Sequence, residues 1–160
     1  MRRQVLTDQA LTAPAVRSFV GLLRGHTALT RALSARLLAD HRLTLNDYEV
    51  LLHLSRAPDH RLRRVDLVER LLLTPSGITR LLDGLEASGL VAKATCDFDA
   101  RVTYAVLTDE GYDKLREAAK THVADIEAAF AGLSEDELKT LADLLGRLTD
   151  DGAAEACEPA

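Results

Sequence analysis

The chain has 160 residues, of which 20 are basic and 25 acidic, so its formal net charge is −5. An apolar fraction of 47% with only nine glycines and four prolines excludes collagen-like, mucin-like and wholly disordered proteins. No run of 18 apolar residues is present, and polar residues follow Arg2-Arg3, which excludes a membrane span and a signal peptide. The sequence therefore predicts one soluble, cytoplasmic domain over residues 1–160.

The charge is distributed unevenly along the chain. From Tyr112 to Ala160, five basic residues stand against twelve acidic ones, whereas Arg56–Arg80 contains six arginines against three acidic residues. Contacts to phosphates depend on the local field rather than on the net charge. An acidic protein with this basic segment is therefore compatible with nucleic-acid binding.

The first predicted helix covers about residues 14–40. Pro14 suits the first turn of a helix. The apolar residues that follow recur with helical spacing at Val16, Phe19, Val20 and Leu23. A helix this long and amphipathic often needs a partner to cover it. Gly21 and Gly25 would either let a second backbone approach closely or lie as tolerated glycines on the surface.

The second helix has a clear start and a clear end. Thr44 followed by Asp47 resembles a capping box, and Pro58 disfavours helix at the residue before it. Its predicted buried side chains are Tyr48, Leu51, Leu52 and Leu54.

A short third helix over about 64–71 and a fourth over about 75–88 follow. Thr74 is the predicted N-cap of the fourth helix, Pro75 its first residue and Gly89 its C-terminal cap. A short helix, a three-residue connection and a longer capped helix form the layout of a helix-turn-helix. The buried positions of that motif fall on apolar residues: Leu67, Leu71, Leu73, Ile78 and Leu81. Two departures are Leu72, where a glycine is usual in the turn, and Val68, where a small residue is usual.

After Gly89 the periodicity changes from helix to strand. Residues 90–96 and 102–107 read as two short strands, and the polar segment 97–101 reads as the turn between them. A hairpin with an arginine at its tip, next to a candidate recognition helix, is the plan of a winged helix-turn-helix.

Two more helices complete the prediction, over about 109–131 and then from Ser134 onward. Ser134 with Glu137 forms a second capping box. The sixth helix carries an apolar stripe of Leu138, Leu141, Leu144, Leu145 and Leu148. Residues 149–160 are expected to be a flexible tail.

The chain resembles the MarR family of transcriptional regulators over about residues 12–148. The matching stretches are LTLNDYEVLLHL, TPSGITRLLDGLEASGLV and DFDARVTYAVLTDEG. The resemblance implies a mainly helical fold with a small β-hairpin wing. Residues 44–108 would form the DNA-binding lobe, and residues 12–42 and 109–148 the dimerisation helices. It also implies a homodimer that binds a near-palindromic operator, usually represses, and in many members releases DNA on binding a small, often phenolic, ligand.

Helix geometry and the resemblance together indicate the DNA-contacting residues. The start of the fourth helix would enter the major groove, where serine, threonine and arginine can reach bases or phosphates. The two arginines before the third helix would reach phosphates. In the wing, Arg101 would enter the minor groove while Asp99 braces it or the turn. The predicted DNA-binding set is Arg63, Arg64, Thr74, Pro75, Ser76, Thr79, Arg80, Asp99 and Arg101.

The resemblance also places an effector pocket among the first, second and fifth helices. His26, His53 and Tyr112 are the candidate ligand-binding residues, because each combines an apolar body with a polar group. Packed or solvent-exposed positions for the same side chains remain an alternative.

Enzyme, metal and redox functions are not indicated. The five histidines are scattered and no hydrolase or metalloprotease motif is present, so no cofactor is expected. Zinc-sensing members of the family resemble one another in a Glu-His doublet where Tyr48-Glu49 stand here. Cys96 and Cys157 lack CxxC spacing and are predicted to be free thiols.

The alternative function is a winged-helix adaptor that binds another protein instead of DNA.

Overall fold

The computed structural model describes residues 13–71, 73–95 and 102–149, which are mainly helical. The helices are α1 (Pro14–His41), α2 (Leu45–Arg56), α3 (Arg64–Leu71), α4 (Pro75–Ala87), α5 (Asp109–Phe130) and α6 (Glu135–Thr149). The strands are β1 (Arg61–Arg63), β2 (Val91–Thr95) and β3 (Thr103–Leu107), and a short 3₁₀ turn covers Pro58–His60. This confirms the predicted fold class. None of the described helices is both long and apolar enough to cross a bilayer.

Local capping sets the ends of the helices near the centre of the chain. Thr44 Oγ1 accepts the Asp47 N–H at 3.1 Å, and Asp47 Oδ2 accepts the Thr44 N–H at 2.8 Å. This is the predicted capping box. Thr74 Oγ1 accepts the Gly77 N–H at 3.1 Å at the start of α4. Both interactions satisfy backbone donors that the helix itself leaves unpaired.

The end of α4 is a Schellman motif. Ser88 is the C-cap and Gly89 follows with φ +73°. The Gly89 N–H donates to the Glu86 carbonyl and the Leu90 N–H to the Leu85 carbonyl, both at 3.0 Å. Glycine adopts this left-handed conformation without strain, so the predicted stop at Gly89 is confirmed.

The small sheet has three antiparallel strands in the order β1-β3-β2. The predicted hairpin is confirmed as β2 and β3, with Lys93 opposite Ala105. The prediction missed β1, in which Leu62 lies opposite Ala105 on the other side of β3. Three residues are too few to show a strand period, and their partner lies some 40 residues away along the chain. The turn at 97–101, with Asp99 and Arg101, lies outside the described residues.

One apolar core joins the sheet to α1, α2, α3, α4 and the start of α5. Its largest fully buried side chains come from α1 to α4 and include Leu37, Leu51, Leu54, Leu67, Ile78 and Leu82. The predicted helix-turn-helix positions are confirmed: Leu67 and Ile78 are fully buried, and Leu71, Leu73 and Leu81 pack against the same core. The core therefore fixes α3 and α4 as one body and leaves their opposite faces to solvent.

The described chain divides into two compact units, with the boundary inside α5 between His122 and Val123. The first unit contains the sheet and the core. The second contains the end of α5 and α6, whose start is capped as predicted, with the Ser134 N–H donating to Glu137 Oε2 at 2.8 Å. None of the described side chains of α6 is buried, and Leu144 and Leu148 are 50% and 74% exposed. Residues 1–160 as a single domain stay a prediction.

Candidate nucleic-acid interface

The first turns of α4 present a polar, exposed face. Ile78, Leu82 and Leu85 are buried on the opposite side of this helix. The exposed residues are the predicted ones: Thr74, Pro75, Ser76, Thr79 and Arg80. A helix packed along one stripe in this way can offer the other stripe to a groove of DNA without moving.

The hydroxyl groups on this face are held locally. Thr79 Oγ1 donates to the Pro75 carbonyl at 3.0 Å, and Thr74 Oγ1 lies 3.2 Å from Ser76 Oγ. Among the residues that the structure describes, Arg80 forms no ion pair. Its guanidinium is therefore available for a phosphate or for the acceptor edge of a guanine.

Arg63 ends β1 and is held by a carboxylate on the next helix. Its Nε donates to Asp66 Oδ2 at 3.0 Å, and its Nη2 donates to Asp66 Oδ1 at 2.6 Å. These hydrogen bonds lower the pKa of Asp66 and raise the pKa of Arg63. A guanidinium has five N–H donors, so three remain for another acceptor.

Arg64 is half-buried at the start of α3, and its Nη2 lies 3.9 Å from Asp83 Oδ1 on α4. A depression of about 290 Å³ separates the two helices and brings Arg64 together with Pro75 and Thr79. It is also lined by Val65, Val68, Glu69 and Ile78. Three of the predicted DNA-binding residues thus share one surface.

Sequence patterns alone do not single out Arg61. It is exposed on β1, lies 5.3 Å from the centre of the Tyr104 ring and is 3.3 Å from Asp59. The only signal for it is the arginine surplus of residues 56–80. The strand that places it beside β3 is visible only in the structure.

The three candidate effector residues lie on three different helices. His26 is exposed on α1, and Tyr112 on α5 is 47% exposed, with its ring 6.0 Å from that of His60. His53 on α2 is half-buried, and burial, followed by the positive charges of Arg70 and Arg56, lowers its pKa. The cavities that α1 and α2 line are formed by other residues.

Two other histidines are structural. His41 is buried with its Nε2 2.6 Å from Thr121 Oγ1, and His122 is buried edge-on against the Tyr48 ring at 4.6 Å. Among the described residues, no group of three or more His, Cys, Asp or Glu side chains could hold a metal ion.

Three comparisons identify similar proteins. A sequence model of the MarR family matches residues 41–102. The transcriptional repressor YetL of Bacillus subtilis is 34% identical over 69% of each chain, and the transcriptional regulator MhqR of the same organism is 26% identical over 86% of this chain and 93% of its own. The structure of Sco3205, a MarR family regulator of Streptomyces coelicolor in complex with DNA, superposes with a TM-score of 0.77 at 30% identity over 84% of both chains.

Proposed function

The chain belongs to the MarR family of transcriptional regulators, and we propose that it is a repressor that binds a near-palindromic operator as a homodimer. Members of this family are DNA-binding regulators and not enzymes. The observation that carries the proposal is the polar start of α4, exposed opposite a fully buried stripe. The relative YetL, a transcriptional repressor, supports repression as the direction of regulation. The structure of Sco3205 in complex with DNA supports DNA as the binding partner.

In this proposal each group of interface residues has a separate role. Ser76, Thr79 and Arg80 read base edges in the major groove, and Thr74 and Pro75 orient the helix start. Arg63 and Arg64 contact phosphates, and Arg61 joins them from β1. Arg101 enters the minor groove with Asp99 bracing it.

The dimer is supported by apolar side chains that one copy leaves exposed. On α1 these include Phe19 at 60% and Leu23 at 50% exposure, and on α6 Leu148 at 74%. Apolar surface of this extent at the two ends of a chain marks an association surface. A symmetric dimer would place its two DNA lobes on half-sites about 34–36 Å apart.

Release by a small phenolic effector is the second part of the proposal, with His26, His53 and Tyr112 as candidate contacts. Burial, followed by the charges of Arg70 and Arg56, lowers the pKa of His53 and so favours its neutral imidazole, which can both donate and accept a hydrogen bond. At least one compound in a panel of phenolic acids should raise the melting temperature of the protein and lower its affinity for the operator. A ligand at 100 times its dissociation constant stabilises the folded state by about 2.7 kcal/mol.

The decisive experiment titrates the full chain against the DNA upstream of its own gene and against a scrambled duplex at two salt concentrations. We expect tighter binding to the upstream DNA and a steep loss of affinity with salt, because phosphate contacts release counterions. Equal, weak binding to both duplexes would reject the repressor and favour the adaptor.

A further inference from the structure

A cavity of about 470 Å³ lies in the first unit, on the side of α4 away from its DNA-facing start. The end of α1, the start of α2, the last turns of α4 and the first turns of α5 all contribute to its wall. The lining residues are His41, Arg42, Leu43, Asp47, Gly84, Leu85, Ser88, Leu90 and Lys114. Its size is within the range of small-molecule sites. None of the predicted DNA or effector residues is among them.

Arg42 occupies a position whose backbone favours glycine. As the C-cap of α1 it has φ 56° and ψ 29°, and its N–H closes the helix onto Leu37 and Leu38. This left-handed conformation is strained for a residue with a Cβ, and glycine is the usual residue there. In the described part of the chain, no hydrogen bond or ion pair includes the Arg42 side chain. The chain thus places a cation with no bonded partner among the described residues in the cavity lining, at a conformational cost.

Gly84, another residue of the cavity lining, shows the opposite mismatch between residue type and backbone. It lies inside α4, where any ordinary side chain would stabilise the helix better than glycine. A Cβ built on Gly84 would meet no atom within 4 Å, so close packing does not require glycine there. The missing side chain leaves this part of the cavity open.

Among the residues that line the cavity, two cations, Arg42 and Lys114, stand against one acidic side chain, Asp47. The Lys114 Nζ is 3.9 Å from Glu117 Oε2, at the long limit of an ion pair. Asp47 is the acidic lining residue, and its Oδ2 already accepts two hydrogen bonds from Thr44 in the α2 cap. The cations come from different elements in a protein whose net charge is −5, so a general basic surface does not account for them.

We propose that this cavity binds the phosphate group of a small phosphorylated metabolite. The Arg42 guanidinium offers planar paired donors and the Lys114 ammonium a compact charge, a combination suited to a dianionic phosphate monoester. Gly84 leaves room for the group to approach α4. Because the wall joins the end of α4 to α1, α2 and α5, a bound phosphate restrains the recognition helix relative to those helices.

The test uses the full chain without DNA, so its result does not depend on the proposed repressor function. Inorganic phosphate and glycerol 3-phosphate are titrated by calorimetry and by thermal unfolding, with sodium chloride at matched ionic strength. We expect saturable binding and a rise in melting temperature with one or both probes. A response to glycerol 3-phosphate only would identify an ester rather than free phosphate as the ligand.

Two variants separate a binding site from a structural feature. Arg42→Gly and Gly84→Leu each restore the residue type that the backbone prefers, so both should raise the melting temperature of the ligand-free protein, by roughly 2–4 °C for Gly84→Leu. Both should weaken phosphate binding about tenfold or more, because one removes a charged donor and the other fills the cavity. Lys114→Gln should weaken binding to a similar extent.

The matched control is Lys120→Gln, which removes an exposed cation six residues further along α5. It should bind phosphate like the unaltered chain. Phosphate also stabilises proteins by exclusion from their surface, and that effect would be equal in all variants. An equal shift in the unaltered chain and in Arg42→Gly, or no binding by calorimetry, would overturn the proposal.

Discussion

Gly111 illustrates how a single residue fixes the start of α5. The Gly111 N–H donates to Thr108 Oγ1 at 3.0 Å, and Thr108 Oγ1 donates to the Gly89 carbonyl at 2.7 Å. A Cβ at position 111 would overlap the Leu90 carbonyl oxygen. Gly89, just after the end of α4, and Gly111, in the first turn of α5, are thus held together through Thr108.

We expect Gly111→Ala to lower the free energy of unfolding by about 1–3 kcal/mol, the usual cost of forcing atoms into a packed site. Urea unfolding followed by circular dichroism measures this. Gly132→Ala is the control, since a Cβ there meets no atom within 4 Å. Equal midpoints for the two variants would show that α5 can shift away from Leu90.

The Arg63–Asp66 pair predicts a pH-dependent contribution to stability. Arg63 lowers the pKa of Asp66 from its ordinary 3.8. The contribution is therefore present above that pH and is lost as the pH falls through the lower, folded-state pKa. Asp66→Asn should cost no more than about 1 kcal/mol at neutral pH, because the pair is exposed.

Urea unfolding of the unaltered chain and of Asp66→Asn at neutral pH and well below pH 3.8 checks this prediction. The difference between the two should disappear in acid. Asp83→Asn serves as comparison, because its oxygen is 3.9 Å from Arg64 and a smaller effect is expected. A difference that persists in acid would assign the role of Asp66 to packing rather than to charge.

Among the elements, α4 is the part of the proposed interface that can select a sequence. Arg80→Ala should cost on the order of 1–3 kcal/mol of operator binding and relax the preference at one position per half-site, if Arg80 reads guanine. Arg116→Ala is the control, since Arg116 pairs with Asp113 at 3.1 Å on α5. Titrations on a set of operators with single base changes measure the preference. An unchanged profile would leave Arg80 without a role in base selection.

The wing should affect affinity more than sequence preference. The minor groove distinguishes mainly A·T from G·C pairs and groove width, so Arg101→Ala should weaken binding to all duplexes together. The slope of log affinity against log salt should fall by about one unit per subunit. Titration of the folded variant on operator and scrambled DNA tests this, and an unchanged slope would remove Arg101 from the interface.

For the whole molecule, the exposed apolar side chains of α1 and α6 predict an obligate dimer. Leu148→Glu places a charge on a side chain that is 74% exposed in a single copy. If a second copy covers it, the substitution should shift the dimer toward monomer in light scattering at micromolar concentration. Val65→Glu is the control, because Val65 is 60% exposed on α3, in the proposed DNA lobe. A monomer mass for the unaltered chain would reject the dimer.

The local sequence by itself determined the helix ends and the helix-turn-helix. The caps at Thr44, Thr74 and Ser134 each bond a group three residues away, so the interaction is present in the sequence pattern. The buried faces of α3 and α4 follow from helical periodicity in the same way. The periodicity after Gly89 predicted the hairpin, and the resemblance to a family added the expected operator DNA and effector.

Only the tertiary structure decided the features that join distant segments. β1 exists because Leu62 meets Ala105, and Gly111 is needed because α5 begins against Leu90. The burial of His41 against Thr121 and the cavity between Arg42 and Gly84 likewise join residues about 40 to 80 positions apart. Periodicity and capping report only on neighbours within one or two turns, whereas these contacts depend on how the core brings whole elements together.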